Sequence, residues 1–262
     1  MELPPMSCAT APVFWARQHR LPQPLQRFIR DRLEMALMNP DERSLFVWPT
    51  ILGAPRMREA HPAGISEAEL LSQAGRMLAA LGVVDPAQAW RKTLVTFPDT
   101  AEKGATGWVP QRIWAPLSAP LSLRCGVILL ALTGQPEDER YRLGSGVTLF
   151  NTALYHEAHH ALESLWVQAS GDLKKGLQGL ILIAAGFYHQ QHHDAIGMIS
   201  LWQDALAALA PLEGELTTPW GTLDCAESLD AVEQRISWLR TLDAEAALDG
   251  LWEMPRPEWR LQ

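Results

Sequence analysis

"LYHEAHHALESLW", residues 154–166, places three histidines and two glutamates within thirteen consecutive positions. The stretch reads as a helix buried on more than one side, with Leu154, Leu162 and Leu165 distributed around it. At about 100° per residue, His156 and His159 fall roughly 20° and 40° from Glu163, and His160 falls about 60° away on the other side. Glu157 points farther off. Imidazole and carboxylate in a buried setting require a hydrogen-bond partner, an opposite charge or a metal.

Working outward, the surrounding sequence predicts three helices. One spans about 148–169 and stops before Gly171, a second covers about 173–191, and a third covers about 194–209 before Pro211. Their short connections favour antiparallel neighbours. The fold class expected is therefore all-α or predominantly α, with a compact antiparallel helical bundle in the C-terminal half and the N-terminal architecture left open. On this reading the chain divides into a mainly helical N-terminal region (1–146), a histidine-rich bundle (147–210) and a helical C-terminal extension (211–262). The polar "QPEDERYRLGSG" at 135–146 reads as a linker between the first two.

In the N-terminal region "LQRFIRDRLEMAL" (25–37) carries apolar residues at helical spacing, with Asn39-Pro40 as the stop. "LFVWPTILG" after it reads as a short buried strand or a packed connection. "SEAELLSQAGRMLAALG" (66–82) is a helix with Ser66 as cap, Glu69 at the reciprocal capping position and Gly82 at its end. Residues 96–120, with four prolines and two glycines, read as an irregular packed loop containing no phosphate-binding fingerprint. "LSLRCGVILLALTG" reads as a buried helix. Toward the C-terminus, a loop is expected near "EGELTTPWG", an amphipathic helix over 223–241 and a short helix around 243–252.

Composition narrows the functional classes. The 262 residues have 47% hydrophobic and 20% charged content, ordinary values for a globular protein, and a formal charge of −8. That charge disfavours nonspecific binding to nucleic acid. Three scattered cysteines, Cys8, Cys125 and Cys225, form no disulfide framework or CxxC knuckle, so a cytoplasmic location is expected. The apolar runs "CGVILLAL" and "GLILIAAGFY" are short of the roughly 20 residues that cross a bilayer, so no membrane association is expected. No GxSxG elbow supports a hydrolase triad.

The chemistry concentrates in the histidines. On the second bundle helix Gln178, Leu182, Ala185, His189 and His192 recur at helical offsets. Facing this stripe toward the first helix predicts a pocket of His159, Glu163, Trp166, Gln178 and His189. Within it His159, Glu163 and His189 are candidate ligands for zinc or iron, Glu163 is the candidate base, and Gln178 is a hydrogen-bonding orienter. "HEAHH" also matches HExxH, which would make His156 and His160 an alternative ligand pair with Glu157 as base, although no third ligand follows at a characteristic spacing.

Residues 149–209 resemble the bacterial and archaeal domain-of-unknown-function family numbered 309. The resemblance rests on "LFNTALYHEAHHALESLW", "LKKGLQGLILIAAGFYH" and "HHDAIGM". The family's glutamate-alanine-histidine core, later glutamate and tryptophan fall on Glu157-Ala158-His159, Glu163 and Trp166. Its glutamine-glycine pair and downstream histidine fall on Gln178-Gly179 and His189. His160 stands where a second glutamate is common, and His192-His193 replace a common glycine-asparagine pair. The resemblance implies a compact helical bundle and carries no settled activity. The functional expectation is a helical protein whose His/Glu pocket is structural or binds a small ligand. A metal-dependent enzyme, hydrolytic if catalytic, and a helical interaction module such as a homo-oligomer are the alternatives.

Overall fold

The computed structural model describes residues 23–96, 108–110, 119–133, 139–241 and 244–262. Cys8, residues 135–138 of the expected linker and most of the expected irregular loop at 96–120 lie outside them. The protein is predominantly α-helical, and its described residues fall into two compact units, one within 21–136 and the other within 137–262.

In the first unit, helices α1 (Gln23–Met38), α2 (Pro40–Leu52), α3 (Pro55–Ala60), α4 (Glu67–Ala80), α5 (Pro86–Thr96) and α6 (Ala119–Ala131) are joined by a two-stranded antiparallel ribbon. Its strands, β1 (Gly64–Ser66) and β2 (Trp108–Pro110), pair Ile65 with Val109. Helix α2 packs against α1, α4, α5 and α6. It includes all of "LFVWPTILG" but the capping Gly53, so neither the strand nor the connection expected there forms. Three local features explain the helix. The Asn39 side chain caps the Asp41 amide, Pro40 occupies the first turn, and Asp41 and Glu42 complement the positive helix end. Pro49 sits within a turn of the C-terminus, where its missing N–H removes one ladder bond. The expected cap of α4 forms, with Ser66 Oγ accepting from the Glu69 amide at 3.2 Å.

The second unit contains α7 (Glu139–Asn151), α8 (Tyr155–Trp166), α9 (Gly171–Gln191) and α10 (Ala195–Leu209), which make the compact bundle. After a 3₁₀ turn at Ala210–Leu212 come strands β3 (Glu215–Thr218) and β4 (Gly221–Asp224), helices α11 (Ala226–Leu239) and α12 (Ala244–Gly250), and strand β5 (Arg260–Leu261). Thus residues 211–262, set apart in sequence as an extension, belong to the same compact unit as the bundle. Residues 139–146 of the expected linker are helical and bury Tyr141, Arg142, Leu143, Ser145 and Gly146.

The helix expected over 148–169 is two helices. Ala153 adopts a left-handed conformation (φ 60°), and the Leu154 amide reaches back to the Leu149 carbonyl at 2.9 Å. This is the closure that usually employs glycine. It turns the chain before Tyr155 and sets the histidine helix α8 at its own angle. The loop expected near "EGELTTPWG" is the β3–β4 hairpin, to which β5 adds as a third antiparallel strand. Four-residue strands are too short to leave an alternating signature.

Helix α9 approaches its neighbours through glycine. A Cβ on Gly179 would meet Leu209, and one on Gly186 would meet the indole of Trp202. Trp202 is wholly buried and donates from Nε1 to the Ile183 carbonyl at 3.4 Å. The C-terminal segment then closes the unit. Trp259 stacks on Phe150 with ring centroids 3.7 Å apart, donates to Ser228 Oγ at 2.9 Å, and exchanges two backbone hydrogen bonds with the Asn151 side chain, each 2.8 Å. Arg235, 1% exposed, donates to the Pro255 carbonyl at 2.7 Å and the Ala231 carbonyl at 3.1 Å, and lies over the Phe187 ring. Burial pulls its pKa down to about 10, with Tyr155 acting in the opposite direction.

Among the described residues, Ala195–Leu212 alone is long and apolar enough to cross a membrane, with mean hydropathy 1.4 over 18 residues. Length and composition are the whole of that signal, because α10 packs against α9 through fully buried Met198, Trp202, Ala205 and Leu209.

Candidate metal centre

Helix α8 separates its residues by side. Tyr155, Glu157, Ala158, Ala161, Leu162 and Leu165 are buried, whereas His156, His159, His160 and Glu163 are half-buried along the remaining face. Helical spacing puts those four within an arc of about 100°. His156, His159 and His160 each offer a ring nitrogen within 4.8 Å of the others, so the trio can coordinate a metal ion. The His159 and His160 rings stack at 4.6 Å, and His156 meets His160 edge-on at 4.6 Å.

Glu163 organises two of the three. Its Oε1 lies 3.1 Å from His159 Nε2, and its Oε2 lies 2.9 Å from His160 Nδ1. One carboxylate therefore fixes two neighbouring rings and leaves His159 Nδ1 and His160 Nε2 outside those contacts. His160 Nε2 is buried and has no hydrogen-bond partner among the described residues. Burial lowers the His159 pKa below its ordinary 6.5, the Glu163 carboxylate opposes that shift, and His160 adds to it. A lowered pKa favours the neutral ring, the form that ligates metal.

Helix α9 runs antiparallel beside α8, as two end-to-end contacts establish. Tyr188 stacks on His156 at 4.9 Å near one end, and Lys174 lies 4.4 Å over the Trp166 ring near the other. Tyr188 in turn touches the His192 ring at 4.2 Å. Sequence reasoning missed Tyr188 as a neighbour of the cluster. The antiparallel register was the signal that could have found it, since it sets the last turn of α9 against the first turn of α8.

The remaining expected pocket residues lie elsewhere. Gln178 is exposed near the start of α9, and His189 bonds Asp194 Oδ2 at 2.8 Å at the entry to α10. Neither has a hydrogen bond or ion pair to His159 or Glu163 among the described residues. The physical reason is axial: at 1.5 Å per residue, Gln178 and His189 are roughly 16 Å apart along α9, too far to serve one small site. Glu157, the base of the HExxH reading, is 1% exposed on the core side of α8. The ring nitrogens that lie within 4.8 Å of one another belong to His159 and to the alternative pair, His156 and His160.

Residues 143–201 match the family model described as Domain of unknown function (DUF309). The matched segment begins in α7, covers α8 and α9, and ends in α10, so it contains the complete histidine face. No curated protein and no solved structure matches the chain.

Proposed function

We propose that this helical protein binds a divalent transition-metal ion, zinc or iron(II), through His156, His159 and His160, with Glu163 orienting two of the three rings. The supporting observation is His160: its Nδ1 is held by Glu163 while its Nε2 is buried without a partner among the described residues. An unsatisfied buried nitrogen costs on the order of 1–3 kcal/mol, a cost that a metal bond removes. A ring nitrogen bonded to carboxylate with its other nitrogen on metal is the usual outer-shell arrangement of histidine ligands. Metal–nitrogen bonds of about 2.0–2.1 Å require donors roughly 3.3 Å apart in a tetrahedral site. The three rings already offer nitrogens within 4.8 Å of one another, so the set must close by about 1.5 Å to meet an ion. Three imidazoles leave a coordination position for a small ligand or water, which suits a binding or hydrolytic role better than a closed structural site. Glu163 is then the nearby candidate base.

The test is metal content after dialysis, followed by calorimetric titration with Zn²⁺ and Fe²⁺ under anaerobic conditions. The wild type should hold about one ion per chain, and His160→Gln should hold none. Glu163→Gln should remain folded, since glutamine preserves shape and hydrogen bonding, and should lose about 10- to 100-fold in affinity. Equal binding by wild type and His160→Gln would remove the metal from this face and leave a polar hydrogen-bond network. Unchanged affinity in Glu163→Gln would remove the orienting role.

A further inference from the structure

Helix α10 is apolar on two sides, and among the described residues only one of them is fully buried. Met198, Trp202, Ala205 and Leu209 are fully buried. Ile196, Ile199, Gln203 and Leu206 follow one another at offsets of three, four and three, the spacing of a helix–helix seam. Ile196 is 85% exposed, Gln203 is exposed, and Ile199 and Leu206 are half-buried. Despite its hydropathy, only 22% of the Ala195–Leu212 stretch is buried. Beside this seam runs α11, and the two helices enclose a groove of about 330 Å³ lined by Gln203, Leu206, Glu233, Ile236, Ser237 and Arg240.

We infer that this face is where a second copy of the chain docks, by a two-fold axis through the groove. The charge pattern selects that occupant. Glu233 on α11 and Arg240, the residue that caps its C-terminal end, lie on one side, about two turns or roughly 10 Å apart. Both are exposed, and neither has an ion-pair partner among the described residues. A two-fold axis midway between them brings each Glu233 to Arg240 of the partner subunit, so the face complements itself twice. Half-buried Leu206 supplies the apolar contact above the buried Ile236, and Gln203 is the one polar residue of the seam, of the kind that sets register in helix pairing. A glutamine amide donates and accepts, so it can pair with its own copy across the axis. A bilayer is the poorer occupant, because Gln203 interrupts the seam, Asp204 and Glu233 put negative charge beside it, and the chain carries −8 overall.

Sedimentation velocity of the full chain decides this. The wild type should sediment at twice its 29.1 kDa mass at micromolar concentration. Ile196→Asp and Arg240→Glu should each raise the dissociation constant by about a hundredfold, with thermal unfolding of the monomer unchanged because both side chains face solvent there. The double variant Glu233→Arg/Arg240→Glu should restore the dimer by exchanging the charges. Three results would overturn the inference: a wild type that stays monomeric to about 100 µM, a dimer indifferent to both single variants, or a double variant that stays monomeric. A monomer that co-sediments with phosphatidylglycerol vesicles would give the face to lipid instead.

Discussion

At the scale of single residues, carboxylates set the geometry around the histidines. Glu163 divides its two oxygens between His159 and His160, and Asp194 does comparable work for His189 while also capping α10 through the Gly197 amide at 3.0 Å. The Gly197 amide, and next the His189 ring, hold the Asp194 carboxyl below its ordinary 3.8. A depressed folded-state value means that the contribution is complete above about pH 4 and disappears as pH falls through the lower folded value. Wild-type stability should therefore decline in that acid range, whereas Asp194→Asn should start lower and decline less. Urea unfolding at a series of pH values checks this, and parallel curves for the two proteins would deny the carboxylate its role. The shared face of His156, His159, His160 and Glu163 was legible in the sequence, because angular spacing alone defines it. The partners of Gln178 and His189 were not, since angle carries no information on height along a helix axis.

At the scale of elements, α9 and α10 meet as closely as they do because α9 presents glycine where α10 presents bulk. Gly186 faces the Trp202 indole, and Gly179 faces Leu209. Glycine inside a helix costs about 1 kcal/mol relative to alanine in propensity, so an exposed Gly→Ala change would stabilise. Here the added methyl must displace a fully buried tryptophan, and Gly186→Ala should destabilise by about 1–3 kcal/mol. Chemical denaturation followed by tryptophan fluorescence measures it, and a stabilised variant would show that the helices can separate without loss. Sequence periodicity located α8, α9 and α10 because each carries a long apolar stripe. It missed α2 at "LFVWPTILG", where Phe46, Val47 and Trp48 favour strands locally and burial of all three overrides that preference. It also ran α7 and α8 together, since an alanine in left-handed conformation leaves no compositional mark.

At the scale of the molecule, the bundle unit is fastened by residues that sequence reading left unassigned. The segment around Trp259 has no helical period, and its partners Asn151, Phe150 and Ser228 are remote in the chain, so no local pattern announces them. Trp259→Ala removes the stacked ring, the indole hydrogen bond and the packing around both, and should cost about 3–5 kcal/mol. Trp259→Phe should cost less, because a ring remains against Phe150 while the Ser228 bond and part of the indole's packing are lost. Circular dichroism in urea separates the two, and a loss under about 1 kcal/mol in the alanine variant would make the segment peripheral. The reach of this clasp also bears on how the protein is made. Asn151 and Trp259 are 108 positions apart, and at roughly 5–20 residues per second a ribosome needs about 5–20 s to travel from one to the other. Throughout that interval the nascent bundle holds a bare Phe150 ring and an unanswered asparagine amide, and it is in those seconds, before the last strand arrives, that the chain most needs shelter from its neighbours.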